Sequence, residues 1–179
     1  MRWTLKPKPN LETVRFLQHA LQIEESIASL LVQRSIETYE QAKDFFRPSL
    51  NHLHDPFLMK DMQKAVERIQ KAIESNENIL VYGDYDVDGT TAVSLMSSYL
   101  KSEYPNVATY IPDRYNEGYG ISFQGIDFAE DNNFTLIIAL DCGIKAIDKI
   151  NYAREKNIDF IICDHHRPGE QVPNAVAVL

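Results

Sequence analysis

The sequence contains few cysteines and no long apolar run. Two of its 179 residues are cysteines, Cys142 and Cys163, which lie 21 positions apart and have no partner at metal-site spacing. No apolar stretch is long enough to span a bilayer, and residues 1–9 lack the apolar core of a signal peptide. We therefore expect reduced thiols, no association with membranes and a cytoplasmic location.

Basic residues are also scarce. The chain has 18 lysines and arginines against 26 acidic residues, a net charge of −8 at pH 7. Nucleic-acid binding usually needs a basic surface, so this charge argues against such a partner. Part of the acidic excess, however, lies in one cluster, where bound cations would invert the local sign. The net charge therefore leaves the choice of partner open.

The first part of the chain has helical patterns and no clear strand. A hydrophobic content of 44% and a charged content of 25% are ordinary for a globular chain of one domain, with or without an appendage. Asn10 is placed to cap a first helix, Thr38 and Gln41 fit a capping box, and Asp61 is placed to cap a helix that ends near residue 74. We expect a helical N-terminal segment over 1–75, with a seam at 76–78.

From residue 79 the pattern changes to alternating strands and helices. Strands are predicted at 79–82, 107–111, 136–140 and 159–163, with helices around 90–101, 122–131 and 145–155. Such alternation predicts an α/β domain over 76–179, with a mostly parallel sheet that is covered by helices on both faces.

Carboxylates are concentrated after the first predicted strand. In the stretch Ile79–Ala92, Gly83 ends the strand, aspartates follow at positions 84, 86 and 88, and Gly89 lets the chain turn into a helix. Three carboxylates so close repel one another unless a cation lies among them. Hard ions such as Mg²⁺ and Mn²⁺ bind carboxylate oxygens, so we interpret this stretch as half of a metal site.

The other strand ends carry matching chemistry. The strand at 136–140 is followed by Asp141, and the strand at 159–163 is followed by Asp164, His165 and His166. The carboxyl ends of parallel strands meet at one end of a sheet, beside the 84–88 cluster. A single such Asp is most often a helix cap, but several strand ends with Asp and His indicate a shared site.

Two local motifs compete for the acidic cluster. Asp84-x-Asp86-x-Asp88-Gly89 opens like a calcium EF-hand loop, but Leu95 stands where that loop needs a bidentate Glu. Residues 86–90 also match the Asp-x-Asp-Gly-Thr motif of haloacid-dehalogenase-type phosphotransferases. In that family the strand runs directly into the first Asp, and nothing in it explains Asp164 to His166. We reject the first motif and disfavour the second.

The motifs taken in order resemble the DHH phosphoesterase superfamily. They are Gly83-Asp-Tyr-Asp-Val-Asp-Gly89, Pro112-Asp-Arg114 with Glu117-Gly-Tyr-Gly120, Asp141-Cys-Gly143 and Asp164-His-His166. The resemblance covers essentially the whole chain and is greatest to the RecJ branch, which are 5′→3′ exonucleases specific for single-stranded DNA and act in DNA repair and recombination.

This resemblance implies a two-metal phosphodiesterase that uses Mn²⁺ or Mg²⁺. Asp86, Asp88, Asp141 and His165 would be metal ligands, and Asp84 would be a further ligand or a base next to the ligands. The resemblance also implies that His166 contacts the scissile phosphate and Arg114 a neighbouring one.

Two departures from the family pattern bear on function. Tyr82 stands where pyrophosphatase relatives have a histidine, which favours the exonuclease branch. The chain also ends inside an apolar run, before a further metal-binding Asp, a closing domain and a nucleic-acid-binding barrel that the family contributes. We therefore expect a truncated catalytic core with weak or no activity. The alternatives are a phosphodiesterase for oligoribonucleotides or cyclic dinucleotides, and a metal-binding fragment without turnover.

Overall fold

The computed structural model describes residues 3–179, which form two compact units. Within the described residues, the units are 3–55 and Pro56–Leu179. This division precedes the expected seam at 76–78, because helix α4 (Met62–Glu74) belongs to the second unit. The helix buries Ala65 and Ala72 in the core cluster that covers one face of the sheet.

The first unit is helical, as expected. It contains α1 (Leu11–Leu21), α2 (Glu25–Val32), α3 (Tyr39–Phe46) and a 3₁₀ turn at Leu50–His52. Two predicted helix starts are confirmed: Asn10 Oδ1 accepts hydrogen bonds from the N–H groups of the first turn of α1, and Thr38 forms a capping box with Gln41. The core of this unit consists of Val14, Leu17, Ala28, Leu31, Val32, Ile36 and Ala42.

The second unit is a parallel α/β sheet, and the predicted fold class is confirmed. After a 3₁₀ turn at Pro56–Leu58 and α4, the elements are β1 (Asn78–Gly83), α5 (Val87–Glu103), β2 (Val107–Tyr110), α6 (Phe123–Asp131), β3 (Phe134–Leu140), α7 (Ile147–Glu155), β4 (Asp159–Cys163) and β5 (Ala177–Val178). The strand order is β2-β1-β3-β4-β5, and each neighbouring pair is parallel. The short strand β5 was not predicted.

Alternating residues of β1 serve the two faces of the sheet. Leu80 and Tyr82 lie in the cluster formed with α6 and α7, whereas Ile79 and Val81 lie in the cluster formed with α4 and α5. Because both faces are covered, the strand is a continuous apolar run and not an alternating one.

Two helix starts differ from the prediction. Helix α5 begins at Val87 and not at residue 90, so Asp86 is its N-cap and Asp88 lies in its first turn. Asp61 precedes α4 but does not cap it through its side chain, because its backbone is left-handed with φ 58°. Its carboxylate instead contacts Lys64 and accepts the N–H of Val178.

The strand order places a crevice between β1 and β3. The connection after β1 leads to β2 on one side of the sheet, and the connection after β3 leads to β4 on the other side. Open α/β sheets bind ligands outside the carboxyl ends of the strands at such a switch point. Separately, none of the helices within residues 3–179 is long and apolar enough to cross a membrane.

Candidate metal centre

Two glycines let α5 pack closely against the end of β1. A Cβ atom on Gly83 would lie 2.3 Å from Val93 Cγ2, and one on Gly89 would lie 2.5 Å from the carbonyl oxygen of Asp84. Neither position has room for a side chain. The first turn of α5 therefore touches the backbone of Asp84, which brings the acidic residues on both elements together.

Asp84 is buried without a partner. Its exposed fraction is 0%, and neither carboxylate oxygen has a hydrogen-bond partner within residues 3–179. Burying a carboxylate is costly unless it is paired or coordinates a metal. This side chain is therefore the clearest indication in the site of a missing positive charge.

Asp86 and Asp88 lie at the start of α5 and are exposed. Asp86 Oδ1 accepts a hydrogen bond of 2.9 Å from the N–H of Gly89, which fixes that carboxylate at the helix start. Asp88 lines a cavity together with Asp141 and His165. Asp88, which follows β1 along the chain, and Asp141, which follows β3, therefore line the same cavity.

Asp141 follows β3, and the charges of the neighbouring acidic and histidine side chains act on its carboxyl. Burial raises the pKa of its carboxyl, the nearby carboxylates of Asp86 and Asp88 raise it further, and His165 and His166 lower it. Its backbone is left-handed, with φ 61°, a conformation that Asp tolerates better than most residues. The shift shows that carboxylates from two strand ends interact electrostatically.

His165 follows β4 and contacts Asp141. Its Nε2 lies 3.0 Å from Asp141 Oδ1, and its side chain is 75% exposed. An imidazole nitrogen binds a cation only when it carries no proton. With the imidazole neutral, the pair therefore offers one nitrogen and one oxygen donor to a metal.

His166 is held by Asp164. Its Nδ1 lies 2.7 Å from Asp164 Oδ1, and the other oxygen of Asp164 accepts the N–H of Ile144. Burial would raise the pKa of Asp164, but the N–H groups of Ile144 and His166 outweigh it and lower the pKa. The hydrogen bond with Asp164 in turn raises the pKa of His166. Sequence reasoning assigned Asp164 no part in orienting its neighbour.

Arg114 lies farther out. Its guanidinium is 5.1 Å from the ring centre of Tyr85, whose ring is 6.0 Å from that of Tyr119. The ring of Tyr119 lies 6.3 Å from that of His166, and the two are almost perpendicular. Arg114 is thus connected to the site through aromatic rings and not through the carboxylates. In the sequence, Tyr119 stands out only as part of the motif at 117–120. A tyrosine between two glycines carries no pattern that indicates a role.

The two acids of the loop at 112–120 support the loop itself. Glu117 accepts hydrogen bonds from Tyr110, Ser122 and the N–H of Asp113. Asp113 Oδ1 accepts the N–H groups of Tyr115 and Asn116. These carboxylates are engaged in local structure, so they are not spare ligands.

The residues present fit a divalent cation. Asp141, His165 and His166 each have a donor atom, and these atoms lie within 4.8 Å of one another. Carboxylate oxygens and imidazole nitrogens are the ligands that Mn²⁺ accepts, and Mg²⁺ prefers the oxygens. A cation here would also supply the charge that the buried carboxylate of Asp84 lacks. The structure thus brings six of the seven predicted site residues to one end of the sheet, and their individual roles stay predictions.

Comparisons with known proteins agree with this arrangement. The single-stranded-DNA-specific exonuclease RecJ of Bacillus subtilis (strain 168) is 41% identical over 179 residues, which are 100% of this chain and 23% of that protein. The protein of the same name from Escherichia coli (strain K12) is 34% identical over 122 residues, or 68% of this chain and 21% of that protein. The chain therefore spans about a quarter or less of the length of these curated relatives.

Solved structures match the fold. A crystal structure of exonuclease RecJ bound to manganese aligns with a TM-score of 0.62 and 29% identity, over 67% of this chain and 31% of that chain. A structure of RecJ from Thermus thermophilus in complex with Mn²⁺ aligns with a TM-score of 0.73 and 24% identity, over 99% of this chain and 24% of that chain. The second match supports the fold alone.

The family assignment rests on a match to more than half of the chain. The model of the DHH family, N-terminal domain, matches residues 78–179, which begin with β1 and include every candidate metal ligand. The matches to RecJ proteins confirm the resemblance seen in the sequence. The chain belongs to the DHH family.

Proposed function

We propose that this chain carries the metal site of a phosphodiesterase that uses two Mn²⁺ or Mg²⁺ ions. The observation that carries the proposal is the buried carboxylate of Asp84, which has no partner within residues 3–179 and lies at the same end of the sheet as the group formed by Asp141, His165 and His166. The manganese-bound RecJ structure, at 29% identity, supports the choice of metal.

The ligand set that we propose spans three strand ends. Asp86, Asp88, Asp141 and His165 would hold the ions, and Asp84 would complete the site as a ligand or as a base beside the ligands. Two bound divalent ions would lower the pKa of a bridging water and stabilise charge on the phosphate oxygens. The chain itself contributes a fixed arrangement, because Asp86 and Asp141 are anchored through the helix start and through the N–H of Asp141, which donates to Cys163.

His166 and Arg114 would contact the substrate. The Nδ1 of His166 is engaged with Asp164, so its Nε2 is the nitrogen that can meet a phosphate oxygen. Arg114 is exposed and would bind a neighbouring phosphate through its guanidinium. Lysine in its place would lose the planar pair of donors.

Single-stranded DNA is the proposed substrate, hydrolysed from the 5′ end. Support comes from the 41% identity, over all 179 residues, to the Bacillus subtilis protein named a single-stranded-DNA-specific exonuclease. A role in DNA repair and recombination and a cytoplasmic location, which agrees with the free thiols of Cys142 and Cys163, belong to the same proposal.

Metal binding provides the direct test. Titration of Mn²⁺ into the chain, followed by calorimetry and by melting temperature, should show binding that stabilises the fold. Asp141→Asn should abolish the heat and the melting shift, because it removes an oxygen ligand. Asp131→Asn, at the end of α6 before β3, should leave both unchanged. If Asp141→Asn binds Mn²⁺ as well as the unaltered chain does, the site is wrongly assigned.

Substrate class needs a second test. Release of nucleotides from 5′-phosphorylated single-stranded DNA should exceed turnover of a cyclic dinucleotide and of pyrophosphate with the same ions. The longer Bacillus subtilis relative provides the reference, and its variant with the substitution that corresponds to Asp141→Asn provides the inactive control. Preferential hydrolysis of either competing substrate would overturn the assignment.

A further inference from the structure

Neighbouring histidines line two different cavities. His165 lines the one shared with Asp88 and Asp141, whereas His166 lines a cleft bounded by Tyr119 and by the start of α7. This second cleft, which we call the α7 cleft, has a volume of about 370 Å³. That volume lies at the small end of the range for ligand pockets and suits a single small ligand.

One wall of the α7 cleft is an aromatic ring held from two sides. Tyr119 is 56% exposed, yet its hydroxyl lies 3.5 Å from Nε2 of His166 and its ring meets the ring of Tyr85 at 87°. The glycines on either side have left-handed backbones, φ 85° at Gly118 and 79° at Gly120, which shape the turn that presents the ring. An oriented aromatic ring with more than half of its surface open is suited to stacking.

The lining of the α7 cleft also includes one uncompensated cation. Lys149 pairs with Asp148 at 2.9 Å, so those two charges cancel. Lys145 is exposed and forms no ion pair within the described part of the chain. It lines the α7 cleft together with His166 and Tyr119. The lining of the cleft therefore combines an aromatic ring with an unpaired ammonium group.

Building on the proposed function, we propose that the α7 cleft is a subsite for one nucleotide adjoining the scissile phosphate. The base stacks on the ring of Tyr119, and the phosphate of that nucleotide pairs with Lys145. Stacking on an aromatic side chain needs an unpaired base, so this subsite favours single strands whatever their sequence.

Two probes separate the base from the phosphate. The affinity of the chain for thymidine 5′-monophosphate is compared with its affinity for deoxyribose 5-phosphate, which has the phosphate and no base. Stacking should make the nucleotide bind about 5- to 140-fold more tightly. Nuclear magnetic resonance titration measures both affinities and reports which residues have signals that shift.

Variants of Tyr119 assign the preference to the ring. Tyr119→Leu should remove the preference, whereas Tyr119→Phe should keep it, because stacking uses the ring and not the hydroxyl. Tyr115→Leu is the matched control, since Tyr115 is 93% exposed in the same loop and does not line the cleft. Because Tyr119 is largely exposed, we expect the Leu variant to fold, and its circular dichroism melt checks this.

Lys145 is tested through the phosphate. Lys145→Gln should weaken both probes by a similar factor and reduce the dependence of their binding on salt. An unchanged preference in Tyr119→Leu, or no binding of either probe, would overturn the subsite. Normal Mn²⁺ binding and hydrolysis without a base preference would defeat the subsite alone. A base preference in a chain that binds no metal would defeat the proposed function alone.

Discussion

Buried charges occur at both ends of the sheet in the second unit, but the two ends treat them differently. At the amino ends of the strands, Arg68 donates to Glu77 and to Asp159, each at 2.6 Å, and Thr135 also donates to Glu77. Arg68 is 9% exposed, and within the described residues only its Nη1 group has no partner. Acid and base are built into the same cluster here.

At the carboxyl ends, carboxylates accumulate without a matching base. Asp84 is fully buried and has no partner among the residues that the structure describes, and Asp141 has Asp86 and Asp88 nearby. The two ends show that burial of charge has two uses in one sheet. A cluster that supplies its own counter-charge fixes the positions of elements, whereas a cluster of one sign is completed only by a cation from outside.

We call the amino ends, with the cluster of Arg68, Glu77 and Asp159, the paired end, and the carboxyl ends the unpaired end. Disrupting the cluster at the paired end should have the largest effect on stability. Arg68→Ala leaves Glu77 and Asp159 without their cation and should lower the free energy of unfolding by about 3 kcal/mol. Urea unfolding followed by circular dichroism measures the loss. Lys43→Gln is the control. The ion pair between Lys43 and Glu40 is exposed, so this substitution should leave the urea midpoint unchanged. Equal effects of the two substitutions would show that burial is irrelevant to the paired cluster.

At the unpaired end, removing a charge should have the opposite sign. Without metal, Asp84→Asn should raise the free energy of unfolding by about 1 kcal/mol, because a buried carboxylate without a partner is destabilising. With Mn²⁺ at a hundred times its dissociation constant, the unaltered chain should gain about 2.7 kcal/mol and become the more stable of the two.

Melting curves in a chelator and in Mn²⁺ test this reversal. Asp131→Asn serves as the control, since it removes the same charge from the end of α6. If Asp84→Asn is less stable than the unaltered chain in both solutions, the carboxylate of Asp84 stabilises the fold without a bound cation, which would contradict the prediction.

Acid should weaken the paired end by a smaller amount. Burial raises the pKa of Glu77, but hydrogen bonds from Arg68 and Thr135 outweigh it, so the pKa lies below its ordinary value of 4.5. The stability that Glu77 contributes is therefore present above about pH 4.5 and is lost as the pH falls through the lowered pKa. Glu77→Gln should cost about 1 kcal/mol at pH 7 and less at pH 3. Urea unfolding at both pH values checks this, and an equal cost at both would contradict it.

The sequence predicted what depends on local pattern. Strands β1 to β4 are predicted because each is a short run of mostly apolar residues, and the DHH motifs place Asp141, His165 and His166 at strand ends. Strand β5 has only two residues, too few to form a pattern. The predicted start of α5 at residue 90 is three residues late, because Asp86 is the N-cap of the helix and Asp88 lies in its first turn.

What the sequence did not predict depends on contacts between distant residues. The ion pair that joins Arg68 to Asp159 spans 91 positions, and the contact of His166 with Tyr119 spans 47. Neither leaves a periodic pattern. The same applies to Asp61, whose carboxylate accepts an N–H from Val178 instead of capping the next helix. These pairings follow from the strand order, which sequence alone did not provide.

The close approach of Gly89 to Asp84 has a consequence for anyone who screens variants of this protein. Any side chain at position 89 would meet backbone atoms of Asp84 at 2.5 to 2.9 Å, so the start of α5 would have to move away from β1. Asp86 and Asp88 would move with it, while Asp84 stayed behind. A substitution that alters no charge and no ligand would therefore score as a metal-binding defect, and position 89 would be mistaken for part of the ligand set.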